Sequence, residues 1–416
     1  MTDALTSLVD EKLTAVPGAA VAVRQGPEPR YRSCHGFADL EWGRPVTPTT
    51  VFRLASLSKP FTALTVRLLA AAGVIDLDAP IARHLPDLPH GDRVTPRHLL
   101  THTSGIPNFV TRPGFRGGIT RRDHTDDEVI ALFAGLPLDF EPGTRYGYSN
   151  SGYRLLDVIA SRAAGAPFAE LAAEHVFAPA GMTATRVLCD EAIVPERARG
   201  YQRDGEGFVN APYVSMTIPG GAGGMGSTLD DLLAFDTAVR DGVFDLPGLY
   251  DPVRLDCGRT EGYGHGWYRS VYRGRDVAFH AGGIEGFSAI YVQVPAEDLS
   301  VVLLTNLGGF RCGLVARAAI DVVLDLAEPV RPTIHVAPAT LCSLAGAYVH
   351  QAGELTVEAD GDTLLVTHAG EPRRMRPVAA RTFADLDDPD VTLDFHDGGA
   401  AALCLPLSWV TGHRES

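Results

Sequence analysis

The chain has 416 residues, 45% of them hydrophobic and 21% charged, and a formal net charge of −15. A single core stops growing at about 250–300 residues, so this length calls for one large unit and a smaller one. The acidic balance argues against non-specific binding to nucleic acid or to an anionic membrane, and no run approaches about 18 apolar residues, so no membrane span is expected.

The N-terminal stretch Met1 to Val16 reads as a short amphipathic helix, with Asp3, Asp10, Glu11 and Lys12 set among leucines and valines. It lacks the basic start and apolar centre of a secretory signal, so a cytoplasmic location is expected. Six cysteines (34, 189, 257, 312, 342 and 404) are scattered without CxxC spacing, which predicts buried free thiols and neither a metal site nor a cofactor. Of 36 basic residues only Lys12 and Lys59 are lysines. Arginine serves most surface positions but cannot act as a general base near neutral pH, which singles out the lysines.

Gly18 to Val23 and Tyr31 to Phe37 flank a Gly-Pro-Glu-Pro turn and predict an antiparallel pair at the edge of a sheet. Val51 to Ala55 leads to Ser56, and Pro60 fits the first turn of a helix that begins near Ser58 or Lys59; a start at Ser56 is the other reading. Phe61 to Ala72 is an apolar helix ending at Gly73. Helical patches follow at Asp126 to Ala134, Ser151 to Ala164 and Phe168 to Val176, joined by long loops that shape one wall of a cleft. Val277 to His280, Phe287 to Gln293 and Leu299 to Leu304 are strand-like, and Cys312 to Leu326 is an apolar helix. N- and C-terminal strands are thus expected to complete one sheet covered by helices. Prolines 329, 332 and 338 mark a junction, giving domains over 1–330 and 335–416. Within the second domain lie alternating segments at Leu344 to His350, Glu354 to Glu358, Thr363 to His368, Arg373 to Val378, Thr382 to Leu386, Val391 to His396 and Ala401 to Leu407, a pattern that suggests a small antiparallel barrel or sandwich.

Three elements carry chemistry. Ser56-Leu57-Ser58-Lys59 is an S-x-x-K pattern, and residues three apart on a helix lie close enough for a lysine amine, lowered in pKa by desolvation, to take the serine proton. Tyr148-Ser149-Asn150 precedes a helix: the tyrosine hydroxyl can share a proton relay, and the asparagine amide can orient an acyl carbonyl or the lysine. Taken alone it is equally an aromatic packed beside an Asn cap. His280-Ala281-Gly282-Gly283 ends a strand whose glycines permit close backbone approach, with N–H groups available to an oxyanion. His280 is either a contact to an acidic or hydrogen-bonding part of a substrate or a half-buried strand residue.

Together and in this order these elements resemble the serine β-lactamase and penicillin-binding superfamily, in particular its class C β-lactamase-like branch, which contains DD-peptidases, D-aminopeptidases, family VIII esterases and transacylases. The resemblance spans about Val16 to Glu328. It rests also on Phe52-Arg53-Leu54-Ala55 before the serine, Leu99-Leu100-Thr101-His102-Thr103-Ser104-Gly105-Ile106, Pro142-Gly143, and Gly223-Gly224-Met225-Gly226-Ser227-Thr228. It implies an α/β (α+β) β-lactamase/transpeptidase-like fold with a central antiparallel sheet and a helical region. It further implies an acyl-Ser56 intermediate, Lys59 and Tyr148 as base and relay, Asn150 assisting, and the N–H groups of Ser56 and Gly283 as oxyanion donors. Gly282 and His280 complete the substrate-binding edge. Leu99 to Ile106 is then a structural signature, with His102 outside the catalytic centre. Met225 and Thr228 fall to the rear wall and the next helix cap. His280-Ala281-Gly282 stands where typical class C β-lactamases have Lys-Thr-Gly, which disfavours efficient β-lactam turnover.

The expected function is therefore hydrolysis of a small amide, D-amino-acid peptide or ester. Transfer of the acyl group to an amine or alcohol, and a noncatalytic binding role, are the competing readings. Loops from Pro107 to Arg122 and from Arg197 to Tyr213 are expected to set substrate choice, and the C-terminal domain either caps the cleft or forms a homo-oligomer contact.

Overall fold

The structure is a computed structural model that describes residues 2–414 apart from 113, 114, 116, 351, 352, 369, 397–399, 406 and 407. It divides into two compact units, Met1–Val322 and Val323–Ser416.

The first unit is built on an antiparallel sheet of seven strands: β1 (Gly18–Gln25), β2 (Pro29–Asp39), β3 (Arg44–Pro45), β4 (Tyr268–Tyr272), β5 (Arg275–Ile284), β6 (Phe287–Val294) and β7 (Leu299–Thr305), in the order β4-β5-β6-β7-β1-β2-β3. The predicted edge pair is corrected by this topology. β1 lies between β7 and β2, pairing Val21 with Leu303 on one side and Ser33 on the other. The reason is legible in its composition: Gly-Ala-Ala-Val-Ala-Val has no polar alternation, and a strand buried on both faces reads as a continuous apolar run. β4, with its alternating Tyr-Arg-Ser-Val-Tyr sequence, was not among the predicted strands.

Around the sheet stand α1 (Thr2–Leu13), α2 (Lys59–Ala71), α3 (Asn150–Ala164), α4 (Leu229–Arg240) and α5 (Cys312–Leu324). One core joins Ala20 and Ala22 of β1, Tyr291 of β6 and Leu304 of β7 to Phe61 and Leu64 of α2, Leu155 and Ile159 of α3, and Phe235 of α4. A buried ion pair between Arg24 of β1 and Asp236 of α4 fastens helix to sheet, with the Tyr291 and Ser300 hydroxyls donating to the same carboxylate. α4 starts at Thr228, whose Oγ1 accepts from Asp231 N–H at 3.1 Å.

The second unit is a closed antiparallel barrel of eight strands from Gly346–His350 to Ser408–Arg414. The segment expected at Ala401 to Leu407 is the strand Ala400–Leu405; 406 and 407 lie outside the described residues. Closure comes from the additional last strand, which pairs with the first at Tyr348–Arg414 and Val349–His413. Leu355, Leu364, Val366, Met375, Phe383 and Leu393 fill the interior, the inward half of each alternating pattern. Cysteine burial is narrower than expected: Cys312 is buried, Cys34 is half-buried, and Cys189, Cys257 and Cys342 are exposed. Among the described residues no helix is long and apolar enough to cross a membrane, and no group of three or more metal-ligating side chains comes together.

Candidate active site

Ser56 sits on a 3₁₀ turn, Ala55–Ser58, that runs directly into α2 at Lys59, with Pro60 in the helix's first turn. Of the two readings of the helix start, the structure gives the one near Ser58 or Lys59: the serine precedes the α-helix, and the lysine is its first residue. Ala55 is held at φ +49°, a left-handed conformation that costs a non-glycine residue of order 1–3 kcal/mol. The turn is fixed from behind by Leu54 N–H donating to Met225 O at 2.9 Å and Met225 N–H donating to Ser58 Oγ at 3.1 Å.

Lys59 is fully buried, 0% exposed, and its Nζ has three near neighbours: Ser56 Oγ at 3.1 Å, Asn150 Oδ1 at 2.7 Å and the Ala222 carbonyl at 2.7 Å. Burial alone pushes its pKa well below the ordinary 10.5, with no carboxylate contributing. A neutral amine has two N–H bonds and one lone pair. Asn150 Oδ1 and Ala222 O can only accept, so they take both N–H bonds and leave the lone pair facing Ser56 Oγ.

Each of those acceptors is itself held. Asn150 begins α3, and its N–H and Nδ2 both donate to Asn108 Oδ1, at 3.2 and 3.3 Å, which fixes Oδ1 toward the lysine. Of the two uses expected for the Asn150 amide, the geometry supplies the one toward lysine. Ala222 lies in the short helix Gly220–Gly223. Gly221 N–H donates to Asp157 Oδ2 at 2.5 Å, its carbonyl accepts from Thr62 Oγ1 at 2.6 Å, and Asp157 pairs with the buried Arg154. A Cβ on Gly221 would lie 2.8 Å from Asp157 Cβ, so only glycine allows this approach.

Tyr148 closes the other side. Its hydroxyl is near enough to the Ser56 side chain for that group to favour ionisation, but burial prevails and raises its pKa well above 10.0. Lys59 Nζ lies 4.8 Å from the Tyr148 ring centre and 5.5 Å from that of Tyr153. Tyr146, Tyr263, Tyr268 and His102 extend this aromatic wall, the last with its ring 4.3 Å from that of Tyr148.

β5 supplies the remaining edge. A Cβ on Gly282 would fall 2.0 Å from Leu54 O, so this glycine lets the strand lie against the nucleophile turn, whereas one on Gly283 meets nothing within 4 Å. Pairing of β5 with β4 stops at Phe279–Tyr268, but pairing with β6 continues to Ile284. The edge over 280–284 is therefore uncovered by any strand on the cleft side. His280 does not reach into that space: its ring is 1% exposed, Nε2 is 3.2 Å from Tyr263 Oη, and Nδ1 is 2.7 Å from Ala281 O. Both nitrogens lie beside protein partners, and the side chain forms part of the wall. Burial pushes its pKa down to about 3.

The sequence profile described as Beta-lactamase matches residues 5–325, well over half of the chain. The chain belongs to the beta-lactamase family. It is 34% identical over 307 residues to Penicillin-binding protein 4* of Bacillus subtilis, covering 69% of this chain and 67% of that protein. It is 33% identical over 341 residues to Esterase EstB of Burkholderia gladioli, covering 70% and 86%. The crystal structure of D-amino acid amidase from Ochrobactrum anthropi SV3 superposes with a TM-score of 0.69 at 26% identity, over 78% of this chain and 99% of the amidase.

Asn108, Tyr263, Tyr268 and residues 220–222 surround Ser56 and Lys59 in this arrangement and were missed in reading the sequence. Asn108 stands two residues after the Leu99–Ile106 signature, which was its one available signal.

Proposed function

We propose that this protein is a serine hydrolase that cleaves a small amide, D-amino-acid peptide or ester through an acyl-Ser56 intermediate. The observation that carries the reading is the Lys59 amine, buried without a carboxylate, with Asn150 Oδ1 and the Ala222 carbonyl each at 2.7 Å and Ser56 Oγ at 3.1 Å; in the neutral amine those two acceptors take the N–H bonds and leave the lone pair toward Ser56. In acylation the Ser56 proton passes to Nζ as Oγ bonds the substrate carbonyl carbon. The resulting oxyanion is received by the N–H groups of Ser56 and Gly283, on the uncovered strand edge. Collapse breaks the bond to the leaving amine or alcohol, which takes its proton through Tyr148. Water then attacks the ester, losing its proton to the same pair, and Ser56 is regenerated. The names of two of these relatives, an esterase and a D-amino acid amidase, support ester and amide substrates.

Intact-protein mass spectrometry after incubation with a panel of D-amino-acid amides, esters and β-lactams tests this. An acyl adduct on Ser56 and loss of turnover in Ser56→Ala are expected. Full activity of Ser56→Ala, with no adduct on the parent, refutes it. Adding an amine acceptor distinguishes transfer: acyl-amine product replacing free acid at saturating acceptor makes the enzyme a transacylase.

A further inference from the structure

His102 was set aside in the sequence as part of a structural signature. In the structure it is the best-connected side chain behind the proton relay. Its carbonyl accepts from Gly147 N–H at 2.7 Å, and its Nδ1 accepts from Ser149 N–H at 3.2 Å. Gly147 and Ser149 are the two neighbours of Tyr148, so one residue grips the backbone on both sides of the tyrosine. Its ring also packs on the Tyr148 ring at 4.3 Å, and on those of Tyr263 and Tyr153 at 4.6 and 5.0 Å.

His102 itself is over-determined. It is 1% exposed and adopts φ +58°, a left-handed conformation that a β-substituted residue holds only when its surroundings impose it. Thr103 O accepts from Gly143 N–H and Gly105 O from Asp139 N–H, both at 2.8 Å, which staples the same segment to the loop that leads into Tyr148. Tyr153, one turn into α3, donates to Leu100 O at 2.8 Å.

We propose that His102 is a positioning residue for Tyr148: its Nδ1 and carbonyl clamp the Gly147–Ser149 backbone, and its ring sets the angle at which the tyrosine hydroxyl meets Ser56. Because Nδ1 accepts, the ring proton resides on Nε2, which is buried among the tyrosine rings with no polar partner among the described residues. Burial holds the ring neutral. A protonated Nδ1 could not accept from Ser149, so the neutral tautomer is the form that clamps. The inference rests on the reading of Tyr148 and Ser56 as relay and nucleophile.

Steady-state kinetics of the full chain test it, using an amide or ester that acylates Ser56. His102→Ala is expected to lower kcat about 10²-fold with little change in KM, as small misplacements of reacting groups do. Asn offers an acceptor at the Nδ1 position and Gln at the Nε2 position, so His102→Asn is expected to recover at least about tenfold over His102→Ala, and His102→Gln is not. In a Tyr148→Phe background, His102→Ala is expected to cost no further activity. The Asn–Gln comparison stands even if the alanine variant does not fold. Wild-type kcat in a folded His102→Ala, equal kcat for the Asn and Gln variants, or full additivity with Tyr148→Phe each overturns the clamp. Failure of the underlying reading looks different: Ser56→Ala or Tyr148→Phe would then retain wild-type activity.

Discussion

Lys59→Met isolates what burial of the amine does to this fold. pH 7 lies 3.5 units below the ordinary lysine value of 10.5, and at about 1.4 kcal/mol per unit, keeping the amine neutral there costs the native state at most about 5 kcal/mol. Methionine preserves the length and apolar bulk but leaves Asn150 Oδ1 and Ala222 O without their donor, at about 1–3 kcal/mol each. The two effects oppose one another within a few kcal/mol, so stability at a single pH is not diagnostic. The pH slope is. With the native pKa lowered, the unfolded chain holds more protons than the native one in the interval between the native value and 10.5. Stability of the parent must therefore rise with pH relative to the variant, by up to about 1.4 kcal/mol per unit, and a methionine has no such dependence. Urea unfolding of both proteins at pH 7, 8 and 9, followed by near-ultraviolet circular dichroism of the buried aromatics, should show the difference growing in the parent's favour, by up to about 3 kcal/mol. A constant difference would mean that the lysine keeps its proton in the fold, and the lone-pair argument for Ser56 would fall with it. Turnover of Lys59→Met is expected to drop by about 10²–10⁴.

Tyr148→Phe keeps the stacking against His102 and removes the relay hydroxyl, so kcat should fall by about 10²–10⁴ while the melting temperature holds; unchanged kcat removes Tyr148 from the chemistry. His280, pushed down to about 3 against an ordinary 6.5, binds no proton in the fold where the unfolded chain does, so its contribution is complete above pH 6.5 and lost as pH falls toward 3. Relative to His280→Gln, the parent should lose about 2 kcal/mol between pH 7.5 and 5.0, read by urea unfolding; equal responses would show the ring already charged. Asp157→Asn strips the buried Arg154 of one carboxylate and loosens the Gly221 N–H that fixes the Ala222 carbonyl. A loss of about 3–5 kcal/mol and a lower kcat are expected, by thermal unfolding and kinetics, and a neutral result would remove this network from support of the lysine.

The parts of the site that the sequence disclosed are those in which chemistry and local geometry coincide. Ser56 and Lys59 are three residues apart, a spacing that any helical turn converts to proximity. Gly282 announces a close backbone approach because no other residue tolerates one. The aromatic enclosure was invisible for the opposite reason: Tyr148, Tyr263, Tyr268 and His102 come from segments far apart in the chain, and their proximity exists only once the edge strand β4 and the loops after Thr101 are in place. β1 was misplaced because a strand at the edge of a sheet and one in its middle differ in burial on the second face, and the turn beside it advertised only the pairing with β2.

The use of cations follows one rule across the described residues. Where the fold buries a charge as an ion pair it uses arginine, as in Arg24–Asp236 and Arg154–Asp157, since the guanidinium stays charged and meets a carboxylate with several donors. Of the chain's two lysines, Lys12 is exposed beside Glu11, while Lys59 is wholly buried among tyrosine rings, amide oxygen and carbonyl. Arginine at 59 would carry its charge into that enclosure and offer no lone pair. The enclosure is thus built to strip a proton from an amine, and a carboxylate within it, by restoring that proton, would defeat the arrangement.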